Sequence, residues 1–161
     1  MIVEIDKLSN SNSRAAKRGN ISFEDFSRDT TQHREDVKNV LYELANRLEE
    51  AGEKHDWTKK ERERQFFDSF TAAKEKGLDF KKDAWYRYHV NTERHHIASH
   101  VAKDINLIDV IEMISDCCCA GLARSGKINK VEIDPDVLMK ACMNTVKLVK
   151  DSIELKKEDD E

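Results

Sequence analysis

Five stretches of the chain carry apolar residues at the three- and four-residue spacing of an α-helix, and this pattern constrains the fold most. Glycines or helix-capping aspartates stand at several of their ends. The 161 residues include only 5 glycines and 1 proline, too few for the closely spaced turns of a β-sandwich. The sequence therefore predicts an all-α protein, a helical bundle of about five main helices. The predicted helices cover about residues 30–51, 58–77, 82–101, 106–126 and 134–153.

The organisation predicted along the chain is one domain with polar ends. Residues 1–20 have weak periodicity and are predicted to form an N-terminal arm, partly disordered. Residues 21–155 hold all five helices, and their number suits a single domain. Residues 156–161 are all charged and are predicted to be a solvated C-terminal tail.

Composition excludes several classes of protein. The net charge is −4 and no basic block stands out, so an extended nucleic-acid surface is not expected. No apolar run is long enough to span a membrane, and no signal peptide is recognisable. Cys117, Cys118 and Cys119 are consecutive, so on a helix they point about 100° apart and cannot converge on one zinc ion. We interpret them as small apolar residues of a reduced, cytoplasmic protein.

Histidines near the first helix are candidate metal ligands. His33 lies four residues before Val37 and therefore shares the predicted apolar stripe of that helix. His55 and Asp56 are adjacent at the junction of the first two helices, where both side chains can reach one ion. The alternatives are a hydrogen-bonded core histidine at position 33 and a polar loop whose Asp56 stabilises a helix N-terminus.

The predicted third helix holds four of the six histidines: His89, His95, His96 and His100. His89, His96 and His100 are spaced seven and four residues apart and share one helix face, whereas His95 lies off it. Imidazole is the commonest side-chain ligand for transition metals, so the cluster favours a metal site. A solvated surface cluster is the alternative.

The fourth helix carries Asp109, Glu112 and Asp116 on one side. Asp109 has a structural explanation, because with Asn106 as the cap it is the third helical residue, where an acid complements the helix dipole. Asp116 lies in mid-helix before small apolar residues, where an unpaired carboxylate would be costly. Asp116 is therefore favoured over Asp109 as a ligand, with Asp109 left open.

The order of His33, His55-Asp56, the histidine cluster and a late aspartate resembles the HD-domain superfamily of helical, metal-dependent phosphohydrolases. The resemblance runs from about Asp29 to Arg124. More specifically, the blocks at 55–59, 91–96 and 107–116 resemble an HD-related family of phages and bacteria, in which the first two read HDxSK and NxHHPE. Thr58 replaces the serine of that pattern, and Ile97-Ala98 stand where it has Pro-Glu.

This resemblance implies an HD-domain-like bundle with one or two divalent ions, among Mn, Fe, Zn, Ni, Co and Mg. One ion would be held by His33, His55, Asp56 and Asp116. His95 or His96 would join a second ion, with Asp56 bridging the two; His89 and Asp109 are alternates.

The same resemblance predicts the residues that act on substrate. Lys59 is the first candidate to bind a phosphate and Arg94 the second, although each could be an ordinary solvated surface residue. Asp56, Lys59 and Glu112 form the predicted catalytic set, with Glu112 or Glu61 as the general base. Trp57, Trp85, Tyr86 and Tyr88 could stack a nucleobase, but their spacing favours the core.

The leading functional hypothesis is a metal-dependent phosphohydrolase that acts on a nucleotide or a related small phosphoester. The alternatives are a non-catalytic protein that sequesters a nucleotide or signalling molecule, an interaction module with a structural metal, and a di-iron oxygenase. A small phosphorylated ligand is the expected partner, and homo-oligomerisation is left open. The expected location is the cytoplasm, which is the host's if the protein is phage-encoded.

Overall fold

The computed structural model describes residues 2–5 and 21–156, and most of them are helical. The all-α prediction is confirmed. None of the described helices is long and apolar enough to cross a membrane. The elements are β1 Val3–Ile5, α1 Phe23–Lys54, α2 Trp57–Glu61, α3 Glu63–Glu75, a short 3₁₀ turn Phe80–Lys82, α4 Ala84–Thr92, α5 Leu107–Ser125, α6 Pro135–Asp151 and β2 Ile153–Leu155.

The chain divides into two compact units, and the first comprises Met1–Arg47 with Val146–Glu161. In it, β1 pairs with β2 in parallel, with Val3 opposite Ile153. Part of the predicted arm is therefore a strand, and the last predicted helix ends at Asp151 rather than at Ile153. The other predictions for the ends, at residues 6–20 and 157–161, fall outside the described residues.

Helix α1 begins earlier and ends later than predicted. Ser22 caps it, because its Oγ accepts a hydrogen bond from the backbone N of Asp25 (3.0 Å) and donates one to the Asp25 carboxylate (2.9 Å). Asp29, the predicted cap, lies buried inside the helix. Gly52, the predicted stop, is also helical, since it has a negative φ and the helix continues to Lys54. Aspartate often caps the start of a helix and glycine often follows its end, but both residue types also occur inside helices.

None of the residues in the predicted apolar stripe of α1 is buried. Val37 is 45% and Leu41 is 58% exposed, and His33 is exposed beside them. The prediction that His33 lies on a buried face is therefore wrong, because helical spacing predicts an apolar face but not a partner that covers it. Its role as a ligand is not tested by this exposure and stays a prediction.

The second unit, Leu48–Thr145, contains a core that fixes the start of α5. Five buried residues form this core: Ile97, Ile105, Val110, Met113 and Ala141. Two side chains of α6 hold the segment before α5. Asn144 donates a hydrogen bond to the carbonyl of Ile105 (2.7 Å), and Thr145 accepts one from the N–H of Leu107 (2.9 Å). Asn106 caps α5 as predicted.

The predicted second and third helices are shorter in the structure. The second is interrupted at Arg62, whose φ of −128° separates α2 from α3. Helix α4 ends at Thr92, so His95, His96 and His100 lie on a loop and do not share a helix face. The backbone of Glu93 is extended, and its side chain is bonded to Thr58, 35 residues away. A tertiary contact thus ends the helix that local spacing would continue.

Candidate metal centre

Four segments of the second unit bring histidine and carboxylate side chains together. His55 and Asp56 join α1 to α2, His89 lies near the end of α4, and the loop after α4 carries His95 and His96. Helix α5 contributes Glu112 and Asp116. The cluster therefore depends on contacts between elements and not on one helix face.

Asp56 adopts a left-handed backbone conformation, with φ of 58° and ψ of 24°. Among the described residues it is the one non-glycine residue with a positive φ. Aspartate tolerates this region better than most residues, but the conformation still costs about 1 kcal/mol. It turns the chain sharply between α1 and α2. The side chain of Asp56 does not cap α2, so its carboxylate is free to face the histidines.

Two groups of donor atoms lie close enough together to hold an ion. The first group is Asp56, His89, His95 and His96, and the second group is His55, His95 and Asp116. Within each group the donor atoms lie within 4.8 Å of one another. His95 belongs to both groups. Asp116, the aspartate favoured from the sequence, belongs to the second group, whereas Asp109 belongs to neither.

The carboxylate of Asp56 faces both groups. Its Oδ1 lies 3.2 Å from Nε2 of His89 and 3.7 Å from Nε2 of His95. Its Oδ2 lies 3.8 Å from Nε2 of His55 and accepts a hydrogen bond from Lys59 (2.5 Å). Burial opposes ionisation of Asp56, but the Lys59 ammonium holds its pKa below the usual value. Asp56 is therefore an anion placed between the two groups.

His89 is held from behind by a hydroxyl and a carboxylate. Its Nδ1 lies 2.7 Å from Oγ1 of Thr58, and this hydroxyl donates a hydrogen bond to Glu93 (2.6 Å). Because the hydroxyl proton goes to Glu93, His89 must donate from Nδ1 and keep a lone pair on Nε2. Burial, with the nearby Lys59 ammonium as the second cause, lowers the pKa of His89 to about 3. His89 is therefore neutral at physiological pH, with its lone pair directed into the first group.

His96 contributes a second neutral imidazole to this group. Its Nε2 lies 2.8 Å from Nε2 of His89. Burial, followed by repulsion from His95, lowers its pKa to about 4. Since His89 can only accept at Nε2, the contact requires either a proton on Nε2 of His96 or a cation that both nitrogens would bind.

Glu112 contacts both of the remaining histidines. Its Oε1 is hydrogen-bonded to Nδ1 of His55 (3.0 Å) and lies 2.8 Å from Nδ1 of His95. The second contact is an ion pair without the alignment of a good hydrogen bond. Burial raises the pKa of Glu112, but the two histidines outweigh it and lower that pKa overall. Burial likewise opposes the charge on His95, but Glu112 raises the pKa of that imidazole.

Three buried polar atoms of the cluster have no aligned hydrogen-bond partner among the described residues. They are Oδ1 of Asp56 and both ring nitrogens of His95. Buried polar groups are nearly always paired, so such atoms call for an explanation. Imidazole nitrogens and a carboxylate oxygen that converge without protons to share are the donor set of a divalent transition metal. The residues present therefore fit a metal ion.

Two cavities lie beside this cluster, and His55 lines both. The larger has a volume of about 660 Å³ and reaches Asp56 and Lys59. Its other walls are mainly aromatic, from Trp57, Phe66, Phe67 and Phe70. The smaller, of about 390 Å³, lies between the end of α1 and α5 and reaches Glu112 and Asp116.

Arg94 and Asp109 pair with each other outside both groups. Nε and Nη2 of Arg94 donate to the two carboxylate oxygens of Asp109 at 2.7 and 2.8 Å. The same guanidinium donates to Asp104 (3.0 Å), and Asp109 also accepts from the N–H of Asn106 (2.9 Å). Four of the five N–H groups of Arg94 are therefore engaged, and both oxygens of Asp109 accept hydrogen bonds, which disfavours Arg94 as a phosphate ligand and Asp109 as a metal ligand.

The other predicted candidates are distributed between the cluster and the surface. His100 is exposed and belongs to neither group. Of the four aromatics considered for base stacking, Trp57 lines the larger cavity, whereas Trp85 packs on Tyr88 (5.8 Å between ring centroids). Tyr86 packs on Phe80 (5.6 Å).

Glu93 supports His89 through Thr58, and the sequence analysis did not predict it. Its position four residues after His89 is the signal that could have indicated it.

Comparison with known proteins finds one family. The chain matches the family of unknown function DUF5662 over residues 22–155, which includes every residue of both groups. No curated protein and no solved structure matches it. Because the match covers more than half of the chain, this protein belongs to the DUF5662 family.

Proposed function

We propose that this protein is a metal-dependent phosphohydrolase that acts on a nucleotide or a related small phosphoester. One observation carries the proposal. Two groups of imidazole and carboxylate donors share His95, and the carboxylate of Asp56 faces both. This arrangement supports two adjacent ions, as in many enzymes that cleave phosphoesters. It also agrees with the resemblance to HD-domain phosphohydrolases found in the sequence.

The donor atoms of the cluster can be assigned to two ions. His89, His95 and His96 would hold the first ion together with Oδ1 of Asp56. His55 and Asp116 would hold the second, with Oδ2 of Asp56 as a bridge. His95 can serve only one ion, because its Nδ1 faces Glu112. Three imidazoles in one group favour a transition metal over magnesium.

The residues around the cluster define the remaining roles. A bound divalent ion would polarise a phosphoryl oxygen and activate water. Lys59 faces the larger cavity from beside Asp56 and would bind a phosphate oxygen. Oε1 of Glu112 contacts two imidazoles, which lower the pKa of the carboxylate against the effect of burial and make it a poor general base. The aromatic walls of the larger cavity would accommodate the apolar part of a phosphoester.

A structural metal site is the second candidate. The first group alone supplies four donors, enough to complete a tetrahedral zinc site with no position left for water. In that case the ion would stabilise the fold, and the second group would remain without metal. Stoichiometry therefore separates the two candidates.

The test begins with metal content. The purified protein is analysed for bound metal after incubation with zinc, manganese, iron or nickel, beside His89→Ala, Asp56→Ala and His55→Ala. His100→Ala is the matched control, because it removes an exposed histidine of the same loop. We expect metal in the wild type and in the control, loss in the Asp56 variant, and partial loss in the two histidine variants.

Catalysis is then tested with nucleotides and small phosphoesters. We expect phosphate release that requires metal and that falls at least 100-fold in Asp56→Ala, whose carboxylate faces both groups. Lys59→Ala should bind metal normally but raise KM. One ion per chain with no turnover would favour the structural site, and a wild type without metal would overturn both candidates.

A further inference from the structure

We propose that Glu112 is a positioning residue that holds His55 and His95, a ligand of each of the two proposed ions, in the same tautomer. The inference rests on the proposed metal centre for its functional meaning. The tautomers themselves can be measured in the metal-free protein. The sequence had suggested Glu112 as a general base, and the structure supports a different role for it.

The geometry behind the proposal is a single carboxylate oxygen between two rings. Oε1 of Glu112 is 3.0 Å from Nδ1 of His55 and 2.8 Å from Nδ1 of His95. An ionised carboxylate only accepts, so Glu112 favours a proton on Nδ1 of each neutral ring, through a hydrogen bond to His55 and a close charge contact to His95. Each Nε2 is then left with a lone pair.

The opposite edges of the two rings face the predicted metal positions. Nε2 of His55 lies 3.6 Å from Oδ1 of Asp116, and Nε2 of His95 lies 3.7 Å from Oδ1 of Asp56. The rings themselves are close, with centroids 4.4 Å apart. Glu112 therefore fixes the separation of the two histidines as well as their tautomers.

The surroundings of Glu112 support a fixed role. Its side chain is 14% exposed, and that of His95 is 1% exposed. A carboxylate behind a histidine ligand orients the ring and increases its basicity, and the loss of such a group typically costs 10- to 100-fold in metal affinity. Here one carboxylate serves two ligands, so its loss should weaken both groups together.

The experiment measures histidine tautomers by long-range ¹H–¹⁵N NMR in the metal-free protein at alkaline pH, where the imidazoles are neutral. In the wild type we expect both His55 and His95 as the Nδ1–H form. In Glu112→Gln, which keeps the size but loses the charge, we expect the Nε2–H form to appear at one or both. Glu75→Gln makes the same chemical change on an exposed residue of α3 and should leave both tautomers unchanged.

Metal affinity is measured for the same proteins with zinc alone. Glu112→Gln should bind zinc 10- to 100-fold more weakly than the wild type or Glu75→Gln. Unchanged tautomers in Glu112→Gln would overturn the positioning role, even if the wild type binds metal and hydrolyses phosphoesters. Altered tautomers in a protein that binds no metal would support the positioning role and overturn the proposed function.

If Glu112→Gln does not fold, Glu112→Asp replaces it in both measurements. Aspartate keeps the charge but is one methylene shorter, so it cannot reach both rings. We expect one histidine to change tautomer and the other to keep it, and two unchanged tautomers would again overturn the proposal.

Discussion

His89 and His95 present Nε2 to the same space, but the protein supports the back of each ring differently. Nδ1 of His89 contacts the neutral hydroxyl of Thr58, and this hydroxyl in turn donates a hydrogen bond to Glu93. Behind His95 stands the carboxylate of Glu112 itself. Both rings are fully buried, so the difference lies in their partners and not in their exposure.

The pKa values follow from this difference. Burial lowers the pKa of His89 to about 3, since a hydroxyl does not stabilise the charged ring as a carboxylate does. Burial acts on His95 as well, but the direct contact with Glu112 raises the pKa of that imidazole instead. The imidazole of His89 is thus kept neutral, whereas the imidazole of His95 protonates more readily than an ordinary histidine.

The largest effect is expected from Arg94, which lies between Glu93 and His95 in the chain and anchors the loop that serves both sides. Arg94→Ala would leave the buried carboxylate of Asp109 without its bidentate partner, at a cost of about 3 kcal/mol. We expect a large drop in the free energy of unfolding, measured by denaturant titration. Arg94→Lys keeps the charge but not the paired geometry, so it should recover only part of the loss. A stable Arg94→Ala with impaired phosphate binding would contradict this structural role.

Thr58→Val should disrupt only the hydrogen bonds that support His89. Valine has the shape of threonine, so the change removes the hydroxyl and leaves Nδ1 of His89 and an oxygen of Glu93 without it. We expect a loss of about 2–3 kcal/mol in the free energy of unfolding. Thr58→Ser, which retains the hydroxyl, is the matched control and should lose less than half as much. Equal losses in the two variants would mean that the methyl group, and not the hydrogen-bond relay, is what matters.

Acidification of the metal-free protein should expose the difference between the two sides. His89 and His96 have folded pKa values of about 3 and 4, below the ordinary value of 6.5. As the pH falls from about 6.5 towards 4, the unfolded chain takes up these protons and the folded chain does not. Stability should fall by about 2.7 kcal/mol per pH unit at most, since two protons are involved.

His95 contributes with the opposite sign and in another pH range. Its raised pKa stabilises the fold below pH 6.5, and that contribution is lost as the pH rises through the folded value. Denaturant titrations across the pH range test both parts. In His96→Gln the acid slope should be about half as steep. A slope that does not change would show that the buried imidazoles are not its origin.

Much of the fold could be predicted from local signals. Asn106, Gly126 and Pro135 mark the ends of α5 and α6 because caps and stops act within one turn of the helix. The end of α4 could not be predicted in this way. Glu93 leaves the helical path where its side chain bonds Thr58, and no local pattern records that contact. The apolar stripe of α1 shows the same limit, since none of its residues is buried and periodicity does not specify what covers a face.

Most of the candidate ligands could be predicted from the sequence, but the residues that hold these ligands in place could not. Five of the six predicted ligands lie in the two groups, namely His55, Asp56, His95, His96 and Asp116, whereas His33 lies in neither. His89 was only an alternate, although it is one of the most deeply buried members. The roles of Glu93 and Glu112 depend on contacts 35 and 57 residues away in sequence. Spacing within one helix cannot predict them.

The smallest expected effect, and the most specific, is the response of His95 to the charge of Glu112. In the metal-free protein, Glu112→Gln should lower the pKa of His95, because it removes the carboxylate that stabilises the protonated ring while burial remains. Glu93→Gln should leave that pKa unchanged, since Glu93 acts on His89 through Thr58. NMR titration of the histidine resonances measures both. If the two variants lowered the pKa of His95 equally, the two sides would not be electrostatically separate, and the hydroxyl of Thr58 would not insulate one from the other.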